Sequence, residues 1–343
     1  MMKVSVVILN WNGCDMLRTF LPSVVRYSEG EGVEVCVADN GSTDTSVSLL
    51  QQEFPSVRTI VLDQNYGFAD GYNWALQQVD AEYVVLLNSD VEVTEHWLEP
   101  MIAYLDAHPE VAACQPKIRS QRQKEYFEYA GAAGGFIDKY GYPFCRGRIM
   151  GVVEKDEGQY DTVIPVFWAT GAALFIRRTD YVNVGGLDGR FFAHMEEIDL
   201  CWRLRSRNRE IVCVPQSIVY HVGGATLKKE NPHKTFLNFR NNLVMLYKNL
   251  PQEELNKVMR IRTCLDYLAA FNFLLQGHWD NASAVMRARK EYKLLCPSFS
   301  LSREENMRKK TLNPIPERTK SSILWQFYAR GCKRFSQLSD LKG

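Results

Sequence analysis

Four short runs of apolar, mostly β-branched residues alternate with four segments of helical periodicity in the first third of the chain. In chain order, the runs and the helical segments between them are residues 4–9, 14–27, 33–39, 44–53, 57–62, 68–79, 82–88 and 94–107. Buried strands that alternate with helices are typical of βαβ units. We therefore expect an α/β fold, with a mostly parallel sheet flanked by helices.

Polar residues cluster directly after each of the four strand-like runs. The clusters are "NWNG", "DNGSTD", "QNYGFADGYN" and "NSD". In open α/β sheets, ligands bind beyond the carboxyl ends of the strands. The sequence thus predicts a binding site along one edge of the sheet.

The alternating pattern breaks over residues 115–165, where Gly, Tyr and Arg dominate. This composition favours an insertion or a mobile loop. Order returns over residues 163–178, and strands are expected near 211–214 and 218–220. After His221 the chain reads as helical to its end, with one apolar helical stripe between residues 261 and 275.

Charge is distributed unevenly along the 343 residues. Residues 1–250 carry 24 Lys/Arg against 31 Asp/Glu, a net charge of −7, and residues 251–343 carry 17 against 9, a net charge of +8. This asymmetry indicates an acidic first unit, residues 1–250, and a basic helical extension, residues 251–343. The extension is expected either to contact an anionic surface or to form a helical cap with solvated charges.

The cysteines and the N-terminal residues indicate a cytosolic protein. The nine cysteines contain no CxxC pair, which favours reduced thiols in a cytosolic protein over a disulfide framework or a metal cluster. Met1 leads into an apolar run without a basic region, so we expect no signal peptide. The segment "CLDYLAAFNFLL" is too short for a membrane span.

Two residues near the first strand ends suit a nucleotide base. Asp39 can accept the imide N–H that uracil, thymine and guanine present, and Trp11 can stack on a base. Each has a simpler explanation, namely turn chemistry for "DNGSTD" and an ordinary core position for Trp11. The third cluster offers Gly67 and Asn73, but it is neither GxGxxG nor a Walker loop, which disfavours a dinucleotide fold and a P-loop.

The fourth strand delivers Asn88-Ser89-Asp90 to the sheet edge. A carboxylate on rigid backbone suits Mg²⁺ or Mn²⁺, which take oxygen ligands together with substrate phosphates. His221, in "IVYHVGG", is the candidate second ligand. A structural histidine is the alternative interpretation.

Seven motifs occur in the order and rough spacing of family 2 glycosyltransferases of the GT-A (Rossmann-like) fold. They are "VVILNWNG", "DNGSTD", "NYGFADGYN", "LLNSD", "TGAALFIRR", "EEIDLCWR" and "YHVGG". Over residues 3–250 the chain most resembles the rhamnosyl- and hexosyl-transferase-like members that build bacterial surface polysaccharides. The resemblance implies a catalytic domain over residues 1–250.

The resemblance also implies roles for individual residues. The metal ligands would be Asp90 and His221. The residues expected at the nucleotide are Asn10, Trp11, Asn12, Asp39, Asn65, Gly67, Asn73, Asn88 and Arg240. The residues expected to line the donor or acceptor sugar pocket are Trp168, Gly171, Ala172 and Glu196. For Arg240, a phosphate contact and a plain helix-surface position both remain open.

The family's catalytic base lies in an acidic pair at a helix start, which here is Glu196-Glu197. Asp199 precedes Arg203 by four residues, the favourable order for a helical ion pair. Glu196 falls in the first turn, where negative charge meets the positive end of the helix dipole. Glu197 is therefore the expected base, although the family more often has Asp there.

The implied reaction is an inverting, metal-assisted sugar transfer from a UDP- or dTDP-sugar to a saccharide or lipid-linked saccharide. No nucleic-acid partner is expected, and the protein is expected in the cytoplasm, with contact to the inner face of the plasma membrane through residues 251–343. Two other functions stay open. A sugar-1-phosphate nucleotidyltransferase would need a basic loop after the first strand, which "LNWNGCD" lacks, and a non-catalytic sugar-nucleotide-binding protein would keep only the fold.

Overall fold

The computed structural model describes residues 1–223 and 231–338, and each strand expected in the first 90 residues is present. The strands of the main sheet are β1 (Met2–Asn10), β2 (Val33–Asn40), β3 (Arg58–Leu62), β4 (Ala81–Asn88), β5 (Val91–Val93), β6 (Val111–Ser120), β11 (Ile164–Pro165), β12 (Ala173–Arg177) and β13 (Glu210–His221). A smaller sheet contains β7 (Gly135–Ile137), β8 (Pro143–Cys145), β9 (Arg148–Ile149) and β10 (Val152–Val153).

Helices connect these strands and form most of the C-terminal region. They are α1 (Cys14–Tyr27), α2 (Ser46–Glu53), α3 (Gly67–Gln77), α4 (Glu99–Ala107), α5 (Arg178–Asn183), α6 (Glu196–Ser206), α7 (Pro232–Asn249), α8 (Gln252–Leu275), α9 (Trp279–Leu295), α10 (Ser300–Lys309) and α11 (Ile323–Tyr328). The expected helix over residues 94–107 begins later, at Glu99, and His96 before it has a positive φ of 58°.

The main sheet is mixed, with the strand order β11-β13-β6-β12-β4-β1-β2-β3 and β5 paired to β13. Parallel pairing joins β1 to β2 and β4, β2 to β3, and β13 to β6. The α/β expectation is confirmed, but the sheet is less parallel than predicted because β12 runs antiparallel to both β4 and β6. This direction places the start of β12, Ala173, opposite Leu87 near the end of β4.

Two apolar clusters cover the two faces of the sheet. One contains Leu17 of α1, Leu49 of α2 and Met101 of α4, together with the residues of β1 and β4 that point toward these helices. The other contains Tyr72 of α3 and Leu204 of α6. Because β1 and β4 are buried on both faces, their sequences read as nearly continuous apolar runs.

Residues 115–165 form ordered, buried structure, so the expectation of a loop is wrong. Strand β6 extends to Ser120, and the small sheet buries Phe136 and Phe144 against Phe335 from the far end of the described chain. The glycine content misled the prediction. Gly135 and Gly147 let the backbone lie directly against the rings of Trp168 and Phe127, an arrangement that a Cβ would block.

The C-terminal region is helical as expected, except over residues 310–322, which return as extended chain to the first unit. Glu317 there forms an ion pair with Arg205 of α6 at 2.7 Å. The apolar stripe of α8 faces solvent, while that helix buries Arg262 and Asp266. The expected division near residue 250 falls between α7 and α8, and it stays a prediction. None of the helices in the described ranges is both long and apolar enough to cross a bilayer.

Candidate functional site

The predicted polar clusters meet at one edge of the main sheet. The register pairs Asn10 with Asp39, and Leu9 with Asn88, so the loops after β1, β2 and β4 leave the sheet side by side. The backbone N–H of Asn88 donates to the carbonyl of Ala172 at 3.0 Å. The start of β12 therefore completes the edge, and the single polar edge is confirmed.

Asp39 is buried and held by its neighbours. Its Oδ2 accepts from the Asn10 side-chain amide at 3.0 Å, and its Oδ1 accepts from the backbone N–H of Ser42 at 2.9 Å. Asn12 fixes the same turn, because its Oδ1 accepts from the backbone N–H of Thr43 at 2.7 Å. Trp11 between them is 51% exposed. It is therefore not a core tryptophan, and its ring is open to a stacking partner.

The loop after β3 is organised by Asn65. Its Oδ1 accepts from the backbone N–H of Gly67 at 2.8 Å and from the Asn40 side chain at 3.0 Å. Gly67 has a φ of +73°, and a Cβ there would lie 2.9 Å from the ring of Phe192. Only glycine satisfies both the conformation and the close approach.

Asn73 has a structural role, which corrects its assignment to the nucleotide. Its Nδ2 donates to the carbonyl of Leu187 at 2.7 Å, and its Oδ1 accepts from the Tyr181 hydroxyl and from the backbone N–H of Leu187. Asp70 accepts its remaining amide hydrogen at 3.2 Å. The side chain thus ties α3 to the segment before α6 and has no group left for a ligand.

Asp90 and His221 lie together, as predicted. The Nε2 of His221 is 3.1 Å from Oδ1 of Asp90, and β5 pairs with the end of β13 to hold the two loops in register. A third group, Glu128, lies on the other side of the ring, with Oε2 3.5 Å from Nδ1 of His221. All three side chains are buried.

The charges of this cluster are strongly coupled. Burial acts to lower the pKa of His221, but the hydrogen bonds and charges of Asp90 and Glu128 outweigh it and raise that pKa to about 10. Burial acts to raise the pKa of Asp90, but the hydrogen bond and charge of His221 lower it overall. Without a cation, the pair is therefore an imidazolium and a carboxylate at neutral pH.

The side chains of Asp90 and His221 fit the Mg²⁺ or Mn²⁺ that the family resemblance implies, but they supply only part of the ligands that such an ion needs. A carboxylate and an imidazole nitrogen converge within reach of one ion, and a cation would displace the proton from Nε2. Within residues 1–223 and 231–338, no three His, Cys, Asp or Glu side chains form a complete metal cluster. Asp90 and His221 would therefore share the ion with ligands from a substrate, such as phosphate oxygens.

The segment before α6 is strained. Phe192, His194 and Met195 have φ values of 67°, 70° and 73°, although none is glycine. Such conformations cost on the order of 1–3 kcal/mol each and persist where surrounding contacts enforce them. Here Asn241 of α7 enforces them, because its Nδ2 donates to the carbonyls of Phe191, Ala193 and His194 at 2.8–2.9 Å.

The three acids of α6 have separate environments. Asp199 is fully buried and paired with Arg203 at 3.0 Å, which confirms the predicted ion pair, and Lys248 adds a second cation at 2.7 Å. Glu196 and Glu197 each have a buried Oε2 without a hydrogen-bond partner among the described residues. These two carboxylates differ from Asp199, because no ion pair joins either of them to a cation within residues 1–223 and 231–338.

Burial raises the pKa of both unpaired carboxyls. For Glu196, burial and then repulsion by Glu197 hold the pKa well above the usual range. For Glu197, burial raises the pKa, and backbone N–H groups at the helix start offset part of that effect. A carboxylate with a raised pKa is a stronger base when ionised, which suits a general base.

Glu197 lies beside the edge that holds the metal candidates. A Cβ placed on Gly171 would be 3.8 Å from Cβ of Glu197 and 3.2 Å from the ring of Phe68. Ala172, the next residue, accepts the hydrogen bond from Asn88. The segment 170–172 therefore connects the Asn88-Ser89-Asp90 turn to the acidic helix, and the backbone of Gly171 lies close to both Glu197 and the ring of Phe68.

Trp168 needs correction as a sugar-pocket residue. It is 3% exposed, and its Nε1 donates to the carbonyl of Phe136 at 2.9 Å, so it packs in the core.

Arg240 supports the strained segment. Its Nη2 donates to the carbonyl of Phe191 at 2.9 Å, and its Nε donates to Oδ1 of Asn241 at 2.8 Å. A phosphate contact through the rest of its guanidinium stays a prediction.

Sequence reasoning missed Glu128 and Asn241. Glu128 sits in "YFEYAGAAGG", a stretch without metal-ligand spacing, and only the fold brings it to His221. Asn241 had a weak signal, because "NFRNN" places two asparagines inside a helix, where asparagine is unfavourable unless its side chain has a specific partner.

Comparison with known proteins supports the resemblance to family 2 glycosyltransferases. The family model "Glycosyl transferase family 2" matches residues 5–172. The chain is 28% identical over 230 residues to the N-acetylglucosaminyl-diphospho-decaprenol L-rhamnosyltransferase of Mycobacterium tuberculosis, covering 63% of this chain and 75% of that protein. It is 26% identical to the O-antigen biosynthesis protein RfbC of Myxococcus xanthus over 66% of this chain, but the match spans only 18% of RfbC.

A solved structure shows the same architecture. The structure of GalNAc-T7 with UDP, GalNAc and Mn²⁺ superposes with a TM-score of 0.59 at 15% identity, covering 93% of this chain and 59% of that one. At this identity the likeness concerns the fold. The expected GT-A fold is confirmed, with a mixed sheet, flanking helices and a helical C-terminal region.

Proposed function

Residues 5–172 form a family 2 glycosyltransferase domain, and we propose that the protein transfers a sugar from a UDP- or dTDP-sugar to a saccharide acceptor with inversion of configuration. The observation that carries this proposal is the convergence of two unlike sites on one sheet edge. Asp90 and His221, which would form a cation half-site, follow the strand end that bonds through Asn88 to Ala172, and Glu197 lies beside the preceding residue, Gly171.

The loops after β1 and β2 would bind the nucleotide. Trp11 offers an exposed ring for stacking, and Asp39 offers fixed carboxylate oxygens for an imide N–H. Asn10 and Asn12 keep both loops in place through their bonds to Asp39 and Thr43. The pairing with an imide favours uracil or thymine donors over those based on adenine or cytosine.

Asp90 and His221 would hold a divalent cation together with the donor diphosphate. When bound, such a cation neutralises charge on the leaving diphosphate. GalNAc-T7, which shares the fold, is in complex with UDP and Mn²⁺. Glu128 would help to hold the imidazole in position through its charge, since its Oε2 lies 3.5 Å from Nδ1, and Nε2 would face the cation.

Glu197 would act as the general base. Its carboxylate takes the proton from an acceptor hydroxyl while that oxygen attacks the anomeric carbon, and the bond to the nucleoside diphosphate breaks. A single displacement without an enzyme nucleophile inverts the anomeric configuration. We expect the sugar to lie beside the backbone of Gly171 and Ala172, and buried Glu196 would shape the wall behind it.

We further propose that the acceptor is a lipid-linked saccharide in surface polysaccharide synthesis, and that the protein works in the cytoplasm at the membrane. The support is the relative from M. tuberculosis, whose name states a decaprenol-linked acceptor, and the basic C-terminal region. Contact with the membrane would be peripheral.

A screen of sugar nucleotides tests the donor. UDP- and dTDP-sugars are expected to raise the melting temperature in the presence of Mn²⁺, and adenosine or cytidine diphosphates are expected to have little effect. Product analysis by NMR should then show an anomeric configuration opposite to that of the donor. Retention of configuration would overturn the mechanism, and binding without turnover on any lipid-linked acceptor would favour a non-catalytic sugar-nucleotide-binding protein.

A further inference from the structure

Helix α8 packs on the protein through a mixed inner face and keeps a second apolar surface outside. The inner face buries Leu255, Val258 and Ala270 together with the ion pair of Arg262 and Asp266, and Arg289 of α9 also bonds to Asp266. A surface helix normally turns its apolar stripe toward the protein and its charges toward water. The additional apolar residues on the outer side of α8 are therefore left for another partner.

The exposed stripe is continuous over the second half of α8. Leu268, Phe271 and Leu275 follow one another at spacings of three and four, and they are 62%, 57% and 71% exposed. Trp279, at the start of α9, is 69% exposed. We call these four residues the α8 ridge. A contiguous apolar surface of this kind on a soluble fold marks an interaction site.

Unpaired cations lie on the same side of the hairpin. Lys257 and Arg260 continue the line of the ridge toward the start of α8, because 257, 260, 264, 268, 271 and 275 share one helical face. Within the described residues, neither has a carboxylate partner. A groove of about 390 Å³ between α8 and α9 is lined by Arg260 and Lys293, among others.

We propose that the outer face of α8 docks on an anionic lipid bilayer. The α8 ridge would enter the interfacial region, and Lys257 and Arg260 would contact the headgroups. The charge fits this occupant, because residues 251–343 carry a net charge of +8, which an anionic bilayer attracts. An anionic surface is complementary to both parts of the face.

The docking would place the enzyme where its acceptor lies. In this respect alone the inference rests on the proposed function, since a lipid-linked acceptor is confined to the bilayer. α8 has 24 residues and is about 36 Å long, so its exposed face can lie along the surface while the sheet edge remains accessible.

Vesicle sedimentation with the full chain tests the docking. The probes are vesicles of pure phosphatidylcholine and vesicles with about 30% phosphatidylglycerol, at about 0.02 M and about 0.5 M NaCl. The parent should pellet with the anionic vesicles at low salt and remain largely in solution with the neutral ones. Leu268→Ser with Leu275→Ser should lower the partition coefficient by about tenfold or more, because two apolar side chains no longer leave water.

Matched variants separate the ridge from general surface changes. Val61→Ser with Val182→Ser alters two residues of similar exposure, 60% and 58%, outside α8, and it should bind like the parent. Lys257→Ala with Arg260→Ala should weaken binding to anionic vesicles and reduce its salt dependence. Arg122→Ala with Lys155→Ala, which removes two exposed cations elsewhere, should not.

The outcomes distinguish this inference from the proposed function. A parent protein that stays in solution with anionic vesicles at low salt overturns the docking, as does a Leu268→Ser/Leu275→Ser variant that binds like the parent. A parent that is dimeric by light scattering, with that variant monomeric and no vesicle binding, assigns the ridge to self-association instead. Calorimetry with UDP and Mn²⁺ should give the same UDP affinity for the parent and for the Leu268→Ser/Leu275→Ser variant. A parent protein that does not bind UDP would contradict the proposed function and would leave the docking of α8 unaffected.

Discussion

The two halves of the site treat buried charge in opposite ways. In the donor half, the loops with Asp39 and Asp90, each carboxylate has defined hydrogen-bond partners. In the acid loop, residues 191–197, Glu196 and Glu197 each keep an unpartnered buried oxygen, and three non-glycine residues have positive φ. The carboxylates of the donor half are thus held in place by their partners, and the acid loop has the unpaired carboxylates that the proposed general base requires.

A substitution that neutralises Glu197 should have the largest effect, and it should affect catalysis but not donor binding. Glu197→Gln is expected to lower kcat by about 10²- to 10⁴-fold, because the amide cannot accept the acceptor's proton. The affinity for UDP, which concerns the donor half, should not change. Steady-state kinetics and calorimetry measure both, with Glu125→Gln on the exposed surface as control. A glutamine variant with parental kcat would remove Glu197 from the mechanism.

The complementary change in the donor half is Asp90→Asn. It removes one of the two proposed protein ligands for the cation and also the partner of His221. The gain in UDP affinity on adding Mn²⁺ should fall by about 100-fold or more, since even the loss of an outer partner of a metal ligand typically costs 10–100-fold. Calorimetry with and without Mn²⁺ gives this number. An unchanged metal effect would place the cation elsewhere.

A smaller effect is expected from Glu128, which contacts the half-site only through His221. Glu128→Gln should weaken Mn²⁺ binding by about tenfold, because the amide orients the imidazole less strongly than a carboxylate does. Titration of Mn²⁺ by EPR measures the affinity without relying on activity. Glu92→Gln, which removes a surface pair with Lys124, is the control and should leave the affinity unchanged.

The smallest effect concerns the stability of the acid loop. Glu196 has a raised pKa in the folded protein, so the folded state binds its proton more tightly than the unfolded chain does. The ionised side chain therefore destabilises the fold above the raised pKa, and this effect disappears as the pH falls toward the ordinary glutamate range. Glu196→Gln should melt at a higher temperature than the parent at neutral pH, and the two should converge in acid. A lower melting temperature at neutral pH would contradict the unpaired state of Glu196.

Local patterns in the sequence predicted most of the first 107 residues. The strand runs and helical segments depend on periodicity within short windows, and the Asp199–Arg203 pair depends on a spacing of four residues. The order of the motifs also placed Asp90 and His221 together, 131 positions apart.

Long-range partners explain what the sequence did not reveal. The Asn73 side chain is bound to Leu187, 114 positions away, so it is not available to a nucleotide. Arg240 is bound to Phe191, 49 positions away, a contact that the sequence did not indicate. Trp168 packs on Gly135. The segment around Gly135 is rich in glycine, and this composition led to the prediction of a loop. Each of these contacts depends on how distant segments cross, and no local periodicity encodes it.

The convergence of the two halves on one cleft is tested most directly by a crystal structure of the protein with UDP and Mn²⁺. The metal should be bound by the Asp90 carboxylate, Nε2 of His221 and the diphosphate. The uracil should stack on Trp11, and the Glu197 carboxylate should face the β-phosphate across the cleft. A diphosphate bound away from Asp90, or a Glu197 side chain turned from the cleft, would contradict the shared site.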